Sequence, residues 1–271
     1  MINFFKSFPL VSYTYVDDGT EIASVDINRN VKAYIEEIDN ANAYTYYNIS
    51  SGARPDQVSM SLYKTPVYYW TFFVLNEHLL DGLHGWPKSS YELNNYIEEH
   101  YNRTVITNIS KPLINDTDHL IFAKIFAVGQ TVEGQSSGAT GIIDEVDPKM
   151  NRIFLTGVTG TFIDEDIMVT VASGIDLDTT SNANMTIELK SMLSNDSYRV
   201  VVEEEKNSTH HYLDMNEFEV ERLRFSDDEN LYEVTNYQYE VDSNESRMQI
   251  RVMNPSMINQ FATQYKKLIN A

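Results

Sequence analysis

The sequence has no cysteine and no long apolar run, and each absence excludes a class of protein. Without cysteine, the 271-residue chain can form no disulfide, no thiolate metal site and no cysteine nucleophile. No apolar stretch approaches the roughly 20 residues that a membrane-spanning helix needs. The start of the chain also lacks the apolar region of a secretory signal. The sequence therefore predicts a soluble protein that is made without export.

Basic residues are scarce. The chain has 20 Lys and Arg against 40 Asp and Glu, which gives a net charge of −20 and a pI near 4.5. Nucleic acids and anionic membranes both bind basic protein surfaces. We therefore expect neither a nucleic-acid partner nor a membrane partner.

Recognisable catalytic motifs are also missing from the sequence. It contains no phosphate-binding glycine loop, no serine-hydrolase elbow and no zinc-protease motif. His78 and His84 lie near Asp81, but an exposed loop explains them better than a ligand set. His210 and His211 are neighbours, so on a strand they should point to opposite faces and not readily share a metal. We expect no enzymatic activity, no metal and no cofactor.

Aromatic residues are abundant instead. The chain has 18 Tyr, 12 Phe and 2 Trp, which together make up 12% of it. Aromatic side chains favour strands and dominate interface cores. Two interpretations stay open at this point: a β-rich domain, or a component that is buried in a larger assembly.

The clearest local signals predict one strand followed by a series of helices. Residues 43–50 are rich in Tyr and Thr and predict a strand. Pro55 suits the first turn of a helix, and residues 67–74 carry an apolar stripe typical of a second one. Ser89 and Glu92 have capping-box spacing at the start of a third. The predicted order is strand, helix, helix, loop, helix.

The two ends of the chain predict extended and helical segments. The N-terminal part is an aromatic arm with a short helix near residues 28–38. At the C-terminus, a strand is followed by Asn254 as N-cap and Pro255 at the first helical position. The apolar face predicted for this last helix consists of Met257, Phe261, Tyr265 and Leu268.

The middle of the chain has a different pattern of residues. Between 124 and 192, short strands alternate with Gly or Asp-Pro turns, which predicts a small five-stranded β-barrel inserted into another domain. Residues 203–245 then carry 14 acidic and 3 basic residues. Strands are predicted there too, including one at residues 231–242. Glu203–Glu205 is the densest carboxylate cluster, and a solvated acidic face explains it better than the paired carboxylates of a hydrolase.

These segments predict an α+β fold. The predicted divisions are an N-terminal arm and short helix (1–42), a strand–helix–helix core with a following helix (43–123), the inserted barrel (124–192), and an acidic β segment with a basic C-terminal helix (193–271).

One pattern in the helical region resembles a known family. Its matching positions are Arg54, Pro55, Leu62, Tyr63, Pro66, Tyr69, Trp70, Asn76, Gly85 and Trp86. The pattern resembles the baseplate wedge protein 53 family of T-even-like contractile-tailed phages, whose central part is a LysM-like domain. The resemblance covers roughly residues 1–110 and 246–271. Residues 125–192 have no counterpart there and resemble a small β-barrel module of marine-phage structural proteins.

The resemblance implies a structural subunit of the virion tail baseplate, assembled in the host cytoplasm. Such a subunit joins wedge-core proteins and bridges adjacent wedges, with sheath or hub proteins as further possible partners. Aromatic anchors usually dominate such interfaces. The candidate partner-binding residues are Phe4, Phe5, Phe8, Trp86, Phe261 and Tyr265.

Two further expectations follow from the LysM-like core. Trp70 should fill that core. The alternative function is a LysM-type peptidoglycan-binding tail protein, in which Trp86 and Tyr63 would stack on sugars. Packing is preferred, because the segment 79–87 is larger and more apolar than a sugar groove usually needs.

Overall fold

The structure of the protein is a computed structural model with an α+β fold, which confirms the predicted class. It describes residues 8–14, 19–26, 43–108, 126–134, 136–164, 168–171, 200–220 and 231–270. The predicted helix near residues 28–38 lies outside these ranges. In the described part of the chain, no helix is long and apolar enough to cross a membrane.

Thirteen strands and five α-helices lie in the described ranges. In chain order the strands are β1 (Leu10–Thr14), β2 (Glu21–Val25), β3 (Tyr44–Asn48), β4 (Thr104–Asn108), β5 (Thr131–Gly134), β6 (Thr140–Asp147), β7 (Arg152–Thr159), β8 (Met168–Val171), β9 (Val200–Glu204), β10 (Thr209–Leu213), β11 (Glu219–Val220), β12 (Tyr232–Thr235) and β13 (Gln249–Met253). The helices are α1 (Pro55–Tyr63), α2 (Trp70–Leu75), α3 (Ser90–His100), α4 (Asn236–Ser246) and α5 (Ile258–Asn270). Short 3₁₀ turns lie at Pro66–Tyr68, Glu77–Leu79, Gly82–His84 and Glu205–Asn207.

The chain divides into two compact units. Unit 1 consists of Met1–Leu93 and Val241–Ala271, and unit 2 of Asn94–Glu240. Unit 1 is therefore built from both ends of the sequence, with unit 2 inserted between them. The four-segment division at 42, 123 and 192 stays a prediction.

The core of unit 1 forms around the predicted strand–helix–helix segment. β3 follows the arm, α1 and α2 come next, and β13 from the far end of the chain pairs antiparallel with β3, placing Arg251 opposite Tyr46. Trp70 is 4% exposed, and its ring lies 6.2 Å from that of Phe261 and 5.1 Å from that of Tyr265. The prediction that Trp70 fills the core is confirmed.

Local capping fixes where the helices of unit 1 begin. Pro55 is the first residue of α1, and the N–H of Arg54 donates to Oε1 of Gln57 at 3.0 Å. Before α3, the N–H of Glu92 donates to the Ser89 hydroxyl at 3.2 Å, and the Glu92 carboxylate accepts the Ser89 N–H at 2.9 Å. The predicted capping box is confirmed.

The C-terminal helix has a different buried face from the predicted one. The N–H groups of Met257 and Ile258 both donate to the Asn254 carbonyl, and α5 begins at Ile258. Leu268 is 50% exposed, whereas Ile269 is completely buried. The predicted face is therefore wrong at its last position. The buried residues of α5 are Ile258, Phe261, Ala262, Tyr265 and Ile269.

Unit 2 contains a curled six-stranded antiparallel sheet in the order β8-β5-β6-β7-β4-β9. Its core includes Ile106, Val132, Ile143, Leu155 and Val200. The sheet differs from the five-stranded barrel predicted for 124–192, because β4 and β9 come from outside that segment. β4 pairs with β7, and β9 pairs with β4, so the two strands cover the edge of β7 that would otherwise expose unpaired backbone groups.

Two glycines of this sheet, one in β6 and one directly after β7, lie close to neighbouring atoms. A Cβ added at Gly141 would lie 3.1 Å from Cδ1 of Leu155. Gly160 has a φ of +83°, and a Cβ there would lie 3.2 Å from Cα of Ala139. Position 160 therefore favours glycine through both its backbone conformation and its close contact, whereas a larger residue in place of Gly141 would need the Leu155 and Val158 side chains to move by a few tenths of an ångström.

A second small sheet of unit 2 has the order β11-β10-β12. The strand predicted for residues 231–242 is confirmed only as far as Thr235, and beyond it the prediction is wrong. The Thr235 hydroxyl accepts the N–H of Gln238 at 3.2 Å. Threonine thus caps α4, which replaces the rest of the predicted strand.

Candidate interaction surfaces

Four of the six predicted aromatic anchors lie in the core of unit 1. Phe8 is 8% exposed and belongs to the same cluster as Trp70, Phe261 and Tyr265. Burial raises the pKa of the Tyr265 hydroxyl. Trp86 belongs to the neighbouring cluster, and Phe4 and Phe5 lie outside the described residues. A role of these side chains in binding another subunit stays a prediction.

The two aromatic residues considered for sugar stacking both have partners within unit 1. Trp86 is 7% exposed, and its Nε1 donates to the Ala53 carbonyl at 2.8 Å. The hydroxyl of Tyr63 donates to the Met253 carbonyl at 2.8 Å, and burial raises its pKa. These contacts support packing, which was preferred on the sequence, as the role of Trp86.

An open groove of about 600 Å³ lies beside these residues in unit 1. The loop after β3 forms one wall, and the segment leading to α3 forms the other. Its lining includes Arg54, Asp56, Tyr69, Leu83, Trp86 and Lys88. Arg54 and Asp56 form a two-point ion pair with distances of 3.0 and 2.6 Å, and this pairing lowers the pKa of Asp56. The groove thus combines an apolar floor with charges that already have partners.

The β1–β2 hairpin presents apolar side chains to solvent. The strands pair in register from Leu10 opposite Val25 to Thr14 opposite Glu21. Nearly every side chain is exposed, and the apolar ones include Leu10 at 69%, Tyr13 at 48% and Ile22 at 48%. In the described ranges, no third strand joins this sheet. Among the described residues, neither outer edge of the hairpin pairs with another strand, and an unpaired edge is a site where a strand of another chain can add.

Glu204 and Glu205 of the acidic cluster form ion pairs. Arg103 binds the carboxylates of Glu205 at 2.6 Å, Asp144 at 2.7 Å and Glu145 at 2.9 Å. The bonds to these carboxylates, above all to Glu205, raise the pKa of the Arg103 guanidinium. Glu204 pairs with Lys206 at 3.0 Å. This arrangement anchors strands to one another.

The two adjacent histidines do not point to opposite faces, so that prediction was wrong. The register of β10 shifts between Thr209 and His211, and the bulge brings the Nδ1 atoms of His210 and His211 to 2.8 Å. The ring of His210 stacks on Tyr239 at 3.9 Å. In the described part of the chain, no group of three His, Asp or Glu side chains is placed to hold a metal ion.

The comparisons with known proteins concern the first part of the chain. Residues 1–107 match a family model described as base plate wedge protein 53. No curated protein matches the chain significantly. The matched segment includes the β1–β2 hairpin, α1 to α3 and the groove, whereas most of unit 2 lies beyond it. The match confirms the resemblance over residues 1–107 and indicates a structural protein of the phage baseplate. The resemblance at residues 246–271 stays a prediction. Over residues 1–107, the chain is therefore similar to the base plate wedge protein 53 family.

Proposed function

We propose that the protein is a structural subunit of a contractile-tail baseplate wedge that joins wedge-core proteins and bridges adjacent wedges. The observation that carries this proposal is the exposed β1–β2 hairpin within the segment that matches the family. A two-stranded hairpin is marginally stable on its own. Contacts with another protein would stabilise it by covering its apolar side chains.

The hairpin offers two modes of contact. A strand of a neighbouring subunit could pair with an open edge, where main-chain hydrogen bonds supply affinity. Leu10, Tyr13 and Ile22 would then add side-chain contacts from the sheet faces. Phe4 and Phe5 precede the hairpin in the chain and remain proposed anchors. Phe8, Phe261, Tyr265 and Trp86 are buried in unit 1, so they would reach a partner only after a rearrangement of that core.

Two measurements test the proposal. Quantitative mass spectrometry of purified tails should find the chain in fixed proportion to other tail proteins, and its absence would contradict the proposal. In phage produced with Leu10→Asp/Ile22→Asp, we expect wedges that form but fail to join, as seen by sedimentation and electron microscopy. Leu80→Asp is the matched control, because Leu80 is 64% exposed and lies outside the hairpin.

The groove supports a second candidate function, peptidoglycan binding by a LysM-like core. It has about the volume of a small-molecule site. The packing of Trp86 and Tyr63 weakens this candidate, because Trp86 is 7% exposed and both rings pack against Phe72. Retention of the purified chain on insoluble peptidoglycan, lost in Tyr69→Ala, would favour it. No retention above that of an unrelated acidic protein would end it.

A further inference from the structure

The β10–β11 hairpin of unit 2 exposes large apolar side chains at its tip. Met215 is 68% exposed and Phe218 is 70% exposed. Tyr232 on β12 is 63% exposed and lies opposite Leu213, at the tip end of β10. Single exposed apolar residues are normal on protein surfaces, but several within one small sheet mark an interaction site.

Hydrogen bonds hold the tip in one conformation. The Asp214 carboxylate accepts the N–H groups of Asn216 at 2.8 Å and Phe218 at 2.9 Å. The N–H of Asp214 donates to the Phe218 carbonyl at 3.0 Å, and that of Glu217 donates to the Asp214 carbonyl at 3.0 Å. Because this tip is ordered before binding, a partner would lose little free energy in fixing it.

The described residues of this small sheet carry several carboxylates and no Lys or Arg. Residues 207–220 and 231–240 contain five acidic residues and no Lys or Arg. Among these, Asp214, Glu217 and Glu219 lie on the hairpin itself and Glu233 on β12. The intervening residues 221–230 add four acidic residues and two basic ones, Arg222 and Arg224, so residues 207–240 carry nine acidic and two basic residues in all. Among the described residues, Arg152 donates to the Thr209 carbonyl at the opposite end of β10. A binding surface for the tip must therefore be basic, since like charges facing each other across an interface are costly.

We propose that Met215, Phe218 and Tyr232 form a docking tip that inserts into a shallow apolar pocket rimmed by Lys and Arg on another baseplate protein. Apolar anchors surrounded by charged groups have the anatomy of a protein interface. A second copy of this chain is a poor occupant, because unit 2 carries 27 acidic and 10 basic residues. The inference rests on the proposed function only in placing the partner in the baseplate.

Oxidative footprinting tests whether the tip is covered. Hydroxyl radicals should modify Met215 and Phe218 rapidly in the free chain, and about tenfold more slowly in isolated tails if the tip is a binding hot spot. Met150, which is 9% exposed, should react slowly in both samples and serves as a folding control. Equal modification of Met215 in the two samples would overturn the docking tip while leaving the baseplate function intact. Absence of the chain from tails would overturn both.

Cross-linking identifies the protein that binds the docking tip. A photoreactive benzoylphenylalanine in place of Phe218 should cross-link to a Lys- and Arg-rich surface of a different tail protein. A cross-link to a second copy of the chain, or to no protein, would overturn the proposal.

Substitutions then separate the apolar and charged contributions. Met215→Ser/Phe218→Ser and Glu217→Lys/Glu219→Lys should each lower incorporation into tails by about tenfold. Val128→Ser/Ile163→Ser is the matched control, because these residues are 66% and 47% exposed elsewhere in unit 2. Circular dichroism of each purified variant checks that it is folded. Incorporation of both tip variants at the control level would contradict the docking tip.

Discussion

Two buried asparagines join distant segments of unit 1 by pairing with one backbone residue each. Oδ1 of Asn76 accepts the N–H of Arg251 at 2.7 Å, and its Nδ2 donates to the Arg251 carbonyl at 3.0 Å. Asn244 makes the same pair of bonds with Lys88, at 2.7 and 3.1 Å. Each side-chain amide thus satisfies both the N–H and the carbonyl of one backbone residue, as a neighbouring strand would. The sequence could not predict these bonds, because the segments involved are far apart along the chain.

Replacing Asn76 should be costly. Asn76→Ala would leave the N–H and the carbonyl of Arg251 without partners inside unit 1, at about 1–3 kcal/mol for each buried group. We expect the free energy of unfolding to fall by about 2–4 kcal/mol in urea titrations followed by tryptophan fluorescence. The control is Asn270→Ala, whose exposed amide bonds only to its own helix. Equal effects of the two variants would contradict the joining role of Asn76.

His210 should make stability dependent on pH. Burial of its ring, followed by the nearby charge of His211, lowers its pKa below the ordinary value of 6.5. Arg152 acts in the same direction, and Glu219 and Glu240 oppose it. Because the unfolded chain binds the proton first, stability is full above pH 6.5 and is lost as the pH falls through the lower folded pKa.

His210→Gln should therefore flatten this pH dependence. Thermal unfolding of the wild type, followed by circular dichroism, should lose more stability on acidification below pH 6.5 than unfolding of the variant. His100→Gln, on the exposed side of α3, is the control and should retain the wild-type profile. A wild-type profile in His210→Gln would show that another group titrates.

At the level of elements, local signals predicted where helices begin but not which strands pair. Pro55 and the Ser89–Glu92 box are contiguous signals, and both mark helix starts in the structure. The start of α4 has one local signal, Thr235, whose hydroxyl accepts the N–H of Gln238. Because threonine is also common in strands, the sequence did not distinguish this cap from a strand residue. Nothing in the local sequence predicts that β3 pairs with β13. The residue pattern of a strand indicates which face is buried, but it does not indicate where in the chain the pairing strand lies.

The orientation of α5 gives an element-scale prediction with a built-in control. Leu268 and Ile269 are adjacent and of equal size, but the first is 50% exposed and the second completely buried. Ile269→Ala should lower the free energy of unfolding by about 2–4 kcal/mol, because it leaves a cavity in the core of unit 1. Leu268→Ala should cost less than about 1 kcal/mol. Urea unfolding measures both losses. A larger loss in Leu268→Ala than in Ile269→Ala would support the buried face predicted from the sequence.

At the scale of the whole molecule, charge is divided very unequally between the two units. Unit 1 carries 13 acidic and 10 basic residues, whereas unit 2 carries 27 and 10, so their net charges are −3 and −17. The segment that matches the family lies mostly in the nearly neutral unit. The strongly acidic unit lies mostly outside the match, which fits an added module with its own partner.

This charge imbalance predicts that salt stabilises unit 2 and has little effect on unit 1. Raising NaCl from about 0.02 M to about 0.5 M shortens the Debye length from roughly 20 Å to roughly 4 Å and screens the self-repulsion of unit 2. Amide exchange in β6 and β7 should slow roughly fivefold, while exchange in α2 and α5 stays nearly constant. Asp227→Asn/Asp228→Asn/Glu229→Gln removes three charges from unit 2 and should reproduce part of this slowing without added salt. An equal response of both units to salt, measured by mass spectrometry in the same sample, would mean that charge repulsion within unit 2 does not set its stability.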